Sequence, residues 1–363
     1  MQVLCLARAL KAVTLFLRKG EPMKAALIGN GMVASTHVAA LIDSSLVELT
    51  GVFGRDLQRA SAFVDSYCPT ARVYQSLPEL TADDSIDFVI VTTPPNARKE
   101  IVSALVQASL PVLMEKPIER TLDAASEIVG LCETHAVSAA VMFQHRARIS
   151  SIKLKEIVEG GEIGDIVAAE IRVPWWRAQT YYDTPGRGSY ERAGGGVMIT
   201  QAIHTLDLAL WMMGPVSDVQ AMMCTTPMHR MDAEDWAGGL LRFESGACAT
   251  LTATTSFYPG DAESIRIQGT KAHAHLENGV LTVSSLDGRE ERFGEDANGT
   301  GGGADPMAFT HAWHQTVIED FARSISDARA PLCSARDALG AHAVIDAMER
   351  SAKSGERTEV IST

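Results

Sequence analysis

Gly29-Asn30-Gly31-Met32-Val33-Ala34 spells GxGxxA, directly after a short apolar run and at the head of a segment with helical periodicity. In that setting the first glycine permits a tight turn and the second lets backbone approach a pyrophosphate. The small third residue lets helix and strand pack closely. The free N–H groups at the start of the helix then suit an anion. This predicts a dinucleotide site with Gly29, Asn30, Gly31, Met32 and Val33 along it. An acidic side chain after the second strand would hold the ribose hydroxyls, but the chain reads Val52-Phe53-Gly54-Arg55-Asp56 there. Gly54 leaves room for a 2′-phosphate, Arg55 can bind one through two N–H groups, and Arg59 lies one turn on. NADP is therefore favoured over NAD. Asp56 is left as either an N-cap or a residue that reaches a ribose.

A second group of residues suits a sugar-like ligand. Trp175, Trp176, Arg177, Tyr181, Tyr182, Asp183 and Arg187 crowd the stretch before Gly194-Gly195-Gly196. Aromatic faces stack on sugar rings, and Arg or Asp side chains hold hydroxyls. Arg187 suits a carboxylate or phosphate, or equally a surface ion pair. His311 and His314 have a spacing that suggests metal, but no further ligand cluster joins them in the sequence, and no metal is expected.

These residues need elements to position them. Strands are predicted at 24–29, 47–53, 73–74, 87–91, 111–114 and 137–143, with helices near 34–43, 55–67, 77–81, 97–108 and 122–135 between them. This alternation implies a parallel, doubly wound sheet with right-handed crossovers. Then the rhythm changes. A helix over 151–159 and a strand over 164–173 precede the triple glycine, which opens a helix to about Met213. Strands at 216–223, 237–244, 247–256, 263–268, 273–276 and 279–284 follow, divided by turn signals such as Glu277-Asn278-Gly279. A polar, glycine-rich loop at 295–305 and helices near 307–327 and 335–353 complete the chain. The expected fold is α/β: an N-terminal Rossmann domain over residues 23–145, then an α+β domain with a large open, mostly antiparallel sheet over 146–363. Residues 1–22 are basic and partly apolar. Arg8 and Lys11 interrupt the apolar stretch and no small-residue cleavage site precedes Met23, so they read as an upstream extension rather than a targeting peptide.

Composition narrows the function class. At 363 residues, 46% hydrophobic and 21% charged, the chain can bury two cores and is too apolar for disorder. A net charge of −13 with no basic face argues against nucleic acid, and any anionic cofactor must be held by a local site. The six cysteines are scattered with no CxxC pair, which fits reduced thiols in a cytoplasmic protein. No apolar run is long enough to span a bilayer, so no membrane partner is expected.

Further motifs join those above. Thr92-Thr93-Pro94-Pro95-Asn96 closes the fourth strand, Glu115-Lys116-Pro117 follows the fifth, and the triple glycine precedes His204 with Asp207 three residues on. In their order and spacing, from Met23 to about Gly355, these residues resemble the glucose–fructose oxidoreductase / inositol dehydrogenase / rhizopine catabolism (Gfo/Idh/MocA) oxidoreductase family. The resemblance implies reversible oxidation of a secondary alcohol or aldehyde with NAD(P), usually on a sugar, a polyol or a nucleotide-linked sugar. It also implies a homodimer or homotetramer assembled through the sheet of the second domain. Cofactor contacts would come from Thr93, Pro94, Asn96, Glu115, Lys116 and Gln144, besides the glycine loop. Substrate contacts would come from Lys116, Trp176, Tyr182, Arg187, Thr200 and His204. Lys116 matches the lysine set between nicotinamide and substrate, and His204 the histidine assigned as acid/base. Thr200 stands where many members carry an aspartate, and residues 200–204 look more like the subgroup with N-Q-x-x-H.

The chemistry agrees with these roles. Removing hydride from an alcohol carbon requires an acceptor for the hydroxyl proton and a donor to the developing alkoxide. A lysine ammonium can donate to that oxygen, and a histidine exchanges a proton near neutral pH. Thr200 and His204, spaced i,i+4, share a helix face. A hydroxyl lacks the charge of an aspartate, so the imidazole needs another orienter, either Asp207 or a residue from elsewhere. Two alternatives remain: a nucleotide-dependent sensor without turnover, and a trans-dihydrodiol-type dehydrogenase on a non-sugar substrate.

Overall fold

The computed structural model describes residues 21–294 and 309–362. Most of the expected N-terminal extension, residues 1–20, and the glycine-rich stretch 295–305 lie outside the described residues. The chain forms two compact units. One takes in the chain to Glu119, then Asp123–Met142 and His311–Ala335; the other takes in Arg120–Leu122, Phe143–Thr310 and Arg336–Thr363.

The first unit is a six-stranded sheet with spatial order β3-β2-β1-β4-β5-β6, every neighbouring pair parallel. Its strands are β1 (Met23–Ile28), β2 (Val47–Phe53), β3 (Arg72–Val73), β4 (Phe88–Val91), β5 (Val112–Met114) and β6 (Ala139–Val141). Runs such as Ala25–Ile28 and Phe88–Val91 are buried throughout, as strands covered on both faces must be. The order reverses beside β1, at the crevice where open α/β sheets bind ligands. Helices α1 (Ala34–Ile42), α2 (Leu57–Tyr67), α3 (Leu77–Thr81), α4 (Arg98–Gln107) and α5 (Leu122–Thr134) connect the strands.

The units depart from the expected division after residue 145: residues 311–335 fall in the first unit, and 120–122 and 143–145 in the second. The helix over Ala312–Asp327 packs along α1. Phe321 meets Phe88 edge-on at 5.4 Å, and the Ser44 hydroxyl donates to Glu319 at 2.9 Å. Local periodicity gives this segment an apolar face but does not say which sheet that face covers.

The second unit is a nine-stranded sheet of order β14-β13-β12-β11-β7-β10-β9-β8-β15. Its members are β7 (Ile166–Pro174), β8 (Val216–Cys224), β9 (Trp236–Phe243), β10 (Cys248–Thr254), β11 (Ser264–Gly269), β12 (Ala272–Glu277), β13 (Val280–Ser285), β14 (Glu290–Phe293) and β15 (Thr358–Glu359). All pairs are antiparallel except β7 with β10. Helix α6 (Ile149–Glu159) and the short α7 (Gln179–Tyr182) precede the triple glycine. The helix expected after that glycine run begins as a π-helical turn, Met198–Ala202, and continues as α8 (Ile203–Met213). The last two helices are α9 (Ala312–Asp327), in the first unit, and α10 (Ala335–Ser354). Among the described residues no helix is long and apolar enough to cross a membrane.

Candidate functional site

The glycine loop sits between β1 and α1. Gly29 adopts φ +107°, and a Cβ there would lie 2.8 Å from Thr92 Oγ1 and 3.0 Å from Thr93 N. The loop is thus pressed against the end of β4, and only glycine fits. At Gly31 a Cβ would meet no atom within 4 Å, so this backbone is open to close approach. Helix α1 starts after Val33; the Ala34 and Thr36 N–H groups turn back to the carbonyls of Gly31 and Val33, and no side chain caps this N-terminus. Met32 is exposed at the tip. The Thr93 hydroxyl oxygen is buried with no hydrogen-bond partner, beside Pro94 and the turn over Pro95–Ala97 that holds Asn96. A cradle without a Cβ, a helix start without a side-chain cap and an orphaned hydroxyl together fit a dinucleotide.

At the end of β2, Gly54 is buried, and a Cβ there would stand 3.0 Å from Asn30 Oδ1. Arg55 and Arg59 are both exposed. Asp56 is the N-cap of α2, its carboxylate accepting the Arg59 N–H at 3.1 Å. The capping role left open by the sequence is therefore filled.

Lys116 follows β5, half-buried, with a cis bond to Pro117. The fully buried Glu115 before it accepts from His37 Nε2 at 2.8 Å and from the Lys116 N–H at 3.1 Å. Burial alone would raise the Glu115 carboxyl pKa; the hydrogen bond and charge of His37, with His314 and Lys116 near, instead hold it at about 2. His314 Nε2 lies 3.9 Å from the same carboxylate, and burial first, then His37, pushes its imidazole down to about 3. The His314 spacing, which no third ligand joined in the sequence, is thus completed in space by His37 and Glu115. Since His37 already donates to Glu115 at hydrogen-bond distance, the trio works as an internal brace for the loop that carries Lys116.

Arg98 completes that brace and was not singled out from the sequence. It is only 2% exposed. Its guanidinium donates to the Thr93 carbonyl at 2.8 and 3.1 Å and to the carbonyls of Glu115 and Pro117. One side chain therefore ties the loop after β4 to the loop after β5. The signal was its place on the buried stripe of α4 with Val102, Leu105 and Val106, since a charge on an apolar stripe demands partners.

In the second unit, Thr200 lies in the π turn and donates its hydroxyl to the Gly196 carbonyl at 2.6 Å. π turns are frequent at functional sites. His204, buried, stacks on His145 with ring centroids 4.9 Å apart and meets Phe143 edge-on. Asp207 is not free to orient the imidazole, because Arg146 binds both its oxygens at 2.6 and 2.7 Å. Gln201 is 4% exposed, and neither end of its amide has a partner. Gln201 stands at the Q of the N-Q-x-x-H pattern, which by itself gave it no role. Gln144, also in this unit, is buried with its amide oxygen unpartnered.

Trp176 and Tyr182 are brought together around His229, with ring centroids 5.9 and 4.8 Å from it. The Tyr182 hydroxyl is bonded to Thr255 Oγ1 at 2.6 Å. His229 is fixed at both nitrogens, by Asp235 at 2.7 Å and the Arg177 carbonyl at 2.8 Å. Arg187 stacks its guanidinium 3.9 Å over the Tyr181 ring, which meets Tyr182 edge-on at 5.0 Å. Trp176, Tyr181 and Tyr182 therefore pack into one wall, anchored through His229 by Asp235.

Residues 23–143 match the oxidoreductase family with an NAD-binding Rossmann fold, and residues 151–275 match the GFO/IDH/MocA C-terminal domain. The chain is 26% identical to D-xylose 1-dehydrogenase (NADP(+)) 2 of Haloferax volcanii, over 92% of this chain and 98% of that one. It is 24% identical to myo-inositol 2-dehydrogenase of Thermotoga maritima, over 87% and 92%. Its fold is similar to the crystal structure of the WlbA dehydrogenase from Chromobacterium violaceum in complex with NADH and UDP-GlcNAcA. That similarity has a TM-score of 0.79 at 26% identity and covers 94% of this chain and 97% of the other.

Proposed function

Because this chain belongs to the Gfo/Idh/MocA family of NAD-binding oxidoreductases, we propose that it is a dehydrogenase or reductase acting on a secondary alcohol or carbonyl of a sugar, a polyol or a sugar derivative. Relatives named for xylose and inositol, and a WlbA dehydrogenase structure in complex with UDP-GlcNAcA, support that substrate class. The observation that carries the reading is the pairing of an open glycine cradle with a braced Lys116 loop in one unit, both at the carboxyl ends of β1 and β5.

The nicotinamide cofactor, when bound, supplies the acceptor or donor of hydride. Gly29, Asn30, Gly31, Met32 and Val33 would hold its pyrophosphate; Thr93, Pro94, Asn96 and Gln144 would line the rest. Gly54 and Arg55, with Arg59, suit NADP, as the NADP(+)-named relative does, whereas the WlbA structure contains NADH. Lys116 holds the substrate oxygen through its ammonium protons and stabilises alkoxide charge. His204 takes the hydroxyl proton in the oxidative direction and returns it in the reductive one. The stacked His145 and the edge of Phe143 fix its ring plane. Trp176, Tyr182, Arg187 and Thr200 would form the substrate wall.

The test is a spectrophotometric screen of sugars, polyols and nucleotide-linked sugars with NADP+ and NAD+, repeated with Lys116→Ala. Turnover that Lys116→Ala abolishes, with cofactor affinity kept within about threefold, supports the reading; full activity in that variant removes Lys116 from it. Cofactor binding without turnover across the panel would instead favour the sensor. The sheet face bearing Met222 and Leu240, 67% and 61% exposed, suits a second copy of this chain; a monomer by light scattering would contradict that assembly.

A further inference from the structure

We propose that Glu234 is a positioning residue for the proton-handling helix, holding the backbone from which Thr200 and His204 project. It rests on the reading of His204 as the proton carrier and adds a residue that reading does not contain. Glu234 is 4% exposed. Its carboxylate accepts the N–H groups of Gly196 and Met198, each at 3.0 Å, and its main-chain carbonyl accepts the N–H of Val197 at 2.8 Å. Three successive amides at the head of the π turn are thus satisfied by one residue, 36–38 positions along the chain. A carboxylate at a helix N-terminus is also favoured by the helix dipole. The contact is so close that a Cβ on Gly196 would lie 1.7 Å from the Glu234 carbonyl oxygen, so glycine is required there. Gly196 is held from the other side by Thr200, whose hydroxyl donates to its carbonyl. The next residue, Asp235, fixes His229 in the aromatic wall, so one dipeptide anchors both halves of this candidate substrate surface.

This anchor is built to respond to pH. Burial raises the Glu234 carboxyl, the N–H groups of Met198, Glu234 itself and Gly196 oppose it, and the charge of Glu349 from α10 adds to the rise, leaving it at about 7. Tyr190 also lies within electrostatic reach of both carboxylates, and Glu349 is itself near Lys353 at 3.7 Å. When ionised, Glu234 accepts from both amides; when protonated, it gives up part of that capacity.

The test compares wild type, Glu234→Gln and Glu234→Asp. Hydrogen exchange over residues 194–200 reports the anchor without reference to activity. The pH profiles of kcat and KM, with cofactor affinity alongside, report its effect on chemistry. We expect Glu234→Gln to speed exchange and lower kcat by about tenfold, the value of a lost charged hydrogen bond, with cofactor affinity unchanged. The ionisation near 7 should disappear from kcat in that variant, and Glu234→Asp should restore it in part. Unchanged exchange, or faster exchange with wild-type kcat and pH profile, overturns the proposal. Full turnover in His204→Ala would refute the reading of His204 separately, since the exchange result does not depend on it.

Discussion

Gly29→Ala and Gly31→Ala, two residues apart in one motif, should fail in opposite ways. At Gly29 the new methyl meets a φ of +107°, which costs an L-residue about 1–2 kcal/mol. It also falls 2.8 Å from Thr92 Oγ1 and 3.0 Å from Thr93 N. Thr92 cannot swing aside easily, because its hydroxyl bonds the carbonyls of Ile28 and Gly29 at 3.2 and 3.0 Å. Overpacking of this kind adds about 1–3 kcal/mol, for a total near 2–5 kcal/mol of lost stability. At Gly31 the methyl meets no atom within 4 Å, and φ is not positive. Stability should stay within about 0.5 kcal/mol, and can rise slightly because alanine restricts the unfolded chain. The same methyl, however, stands where a pyrophosphate must approach, so cofactor affinity should fall at least about tenfold, or 1.4 kcal/mol. Urea denaturation midpoints and fluorescence titration with NADPH and NADH measure the two effects on the same samples. Wild-type cofactor affinity in Gly31→Ala would refute the assignment of that backbone to the phosphates. A Gly29→Ala protein as stable as wild type would refute the steric argument.

Other substitutions probe the remaining groups. Arg55→Ala should weaken NADPH by about tenfold and NADH by less than about twofold; equal losses in parallel titrations would count against an NADP preference. Asp56→Ala should cost about 1 kcal/mol through the lost cap of α2, whichever nucleotide binds, as a denaturation midpoint would show. His314 is neutral in the fold, its imidazole held at about 3, while the unfolded chain protonates it near 6.5. The unfolded state therefore binds the extra proton between those values, and acidification through that window destabilises the protein by up to about 1.4 kcal/mol per pH unit. Glu234, at about 7 against 4.5, acts with the opposite sign, since the folded state binds its proton first as pH falls. His314→Gln should flatten the acid slope of stability and Glu234→Gln should steepen it; identical slopes in all three proteins would contradict both assignments.

The sequence by itself determined the elements and the motifs they carry. Buried runs at 24–28 and 88–91, the GxGxxA turn, and the shift from alternating strands and helices to turn-divided strands are local patterns. A strand shows its faces every second residue and a helix every third or fourth, so such patterns can be read without partners. Lys116 and His204 were singled out by the family resemblance, each lying at a fixed place in a short motif. What only the tertiary structure decided is who meets whom. Arg98 donates to carbonyls 17 and 19 residues away, His37 reaches Glu115 across 78 positions, and Glu234 holds Gly196 across 38. His37 and Arg98 lie on the buried stripes of α1 and α4, and no local pattern names the acceptors that satisfy them. The same gap assigned α9 to the wrong unit and left Asp207 open as an orienter until Arg146 closed around it. Hydrogen bonds between distant segments are set by backbone carbonyls and side chains that the fold brings within 3 Å, and no spacing along the chain encodes them.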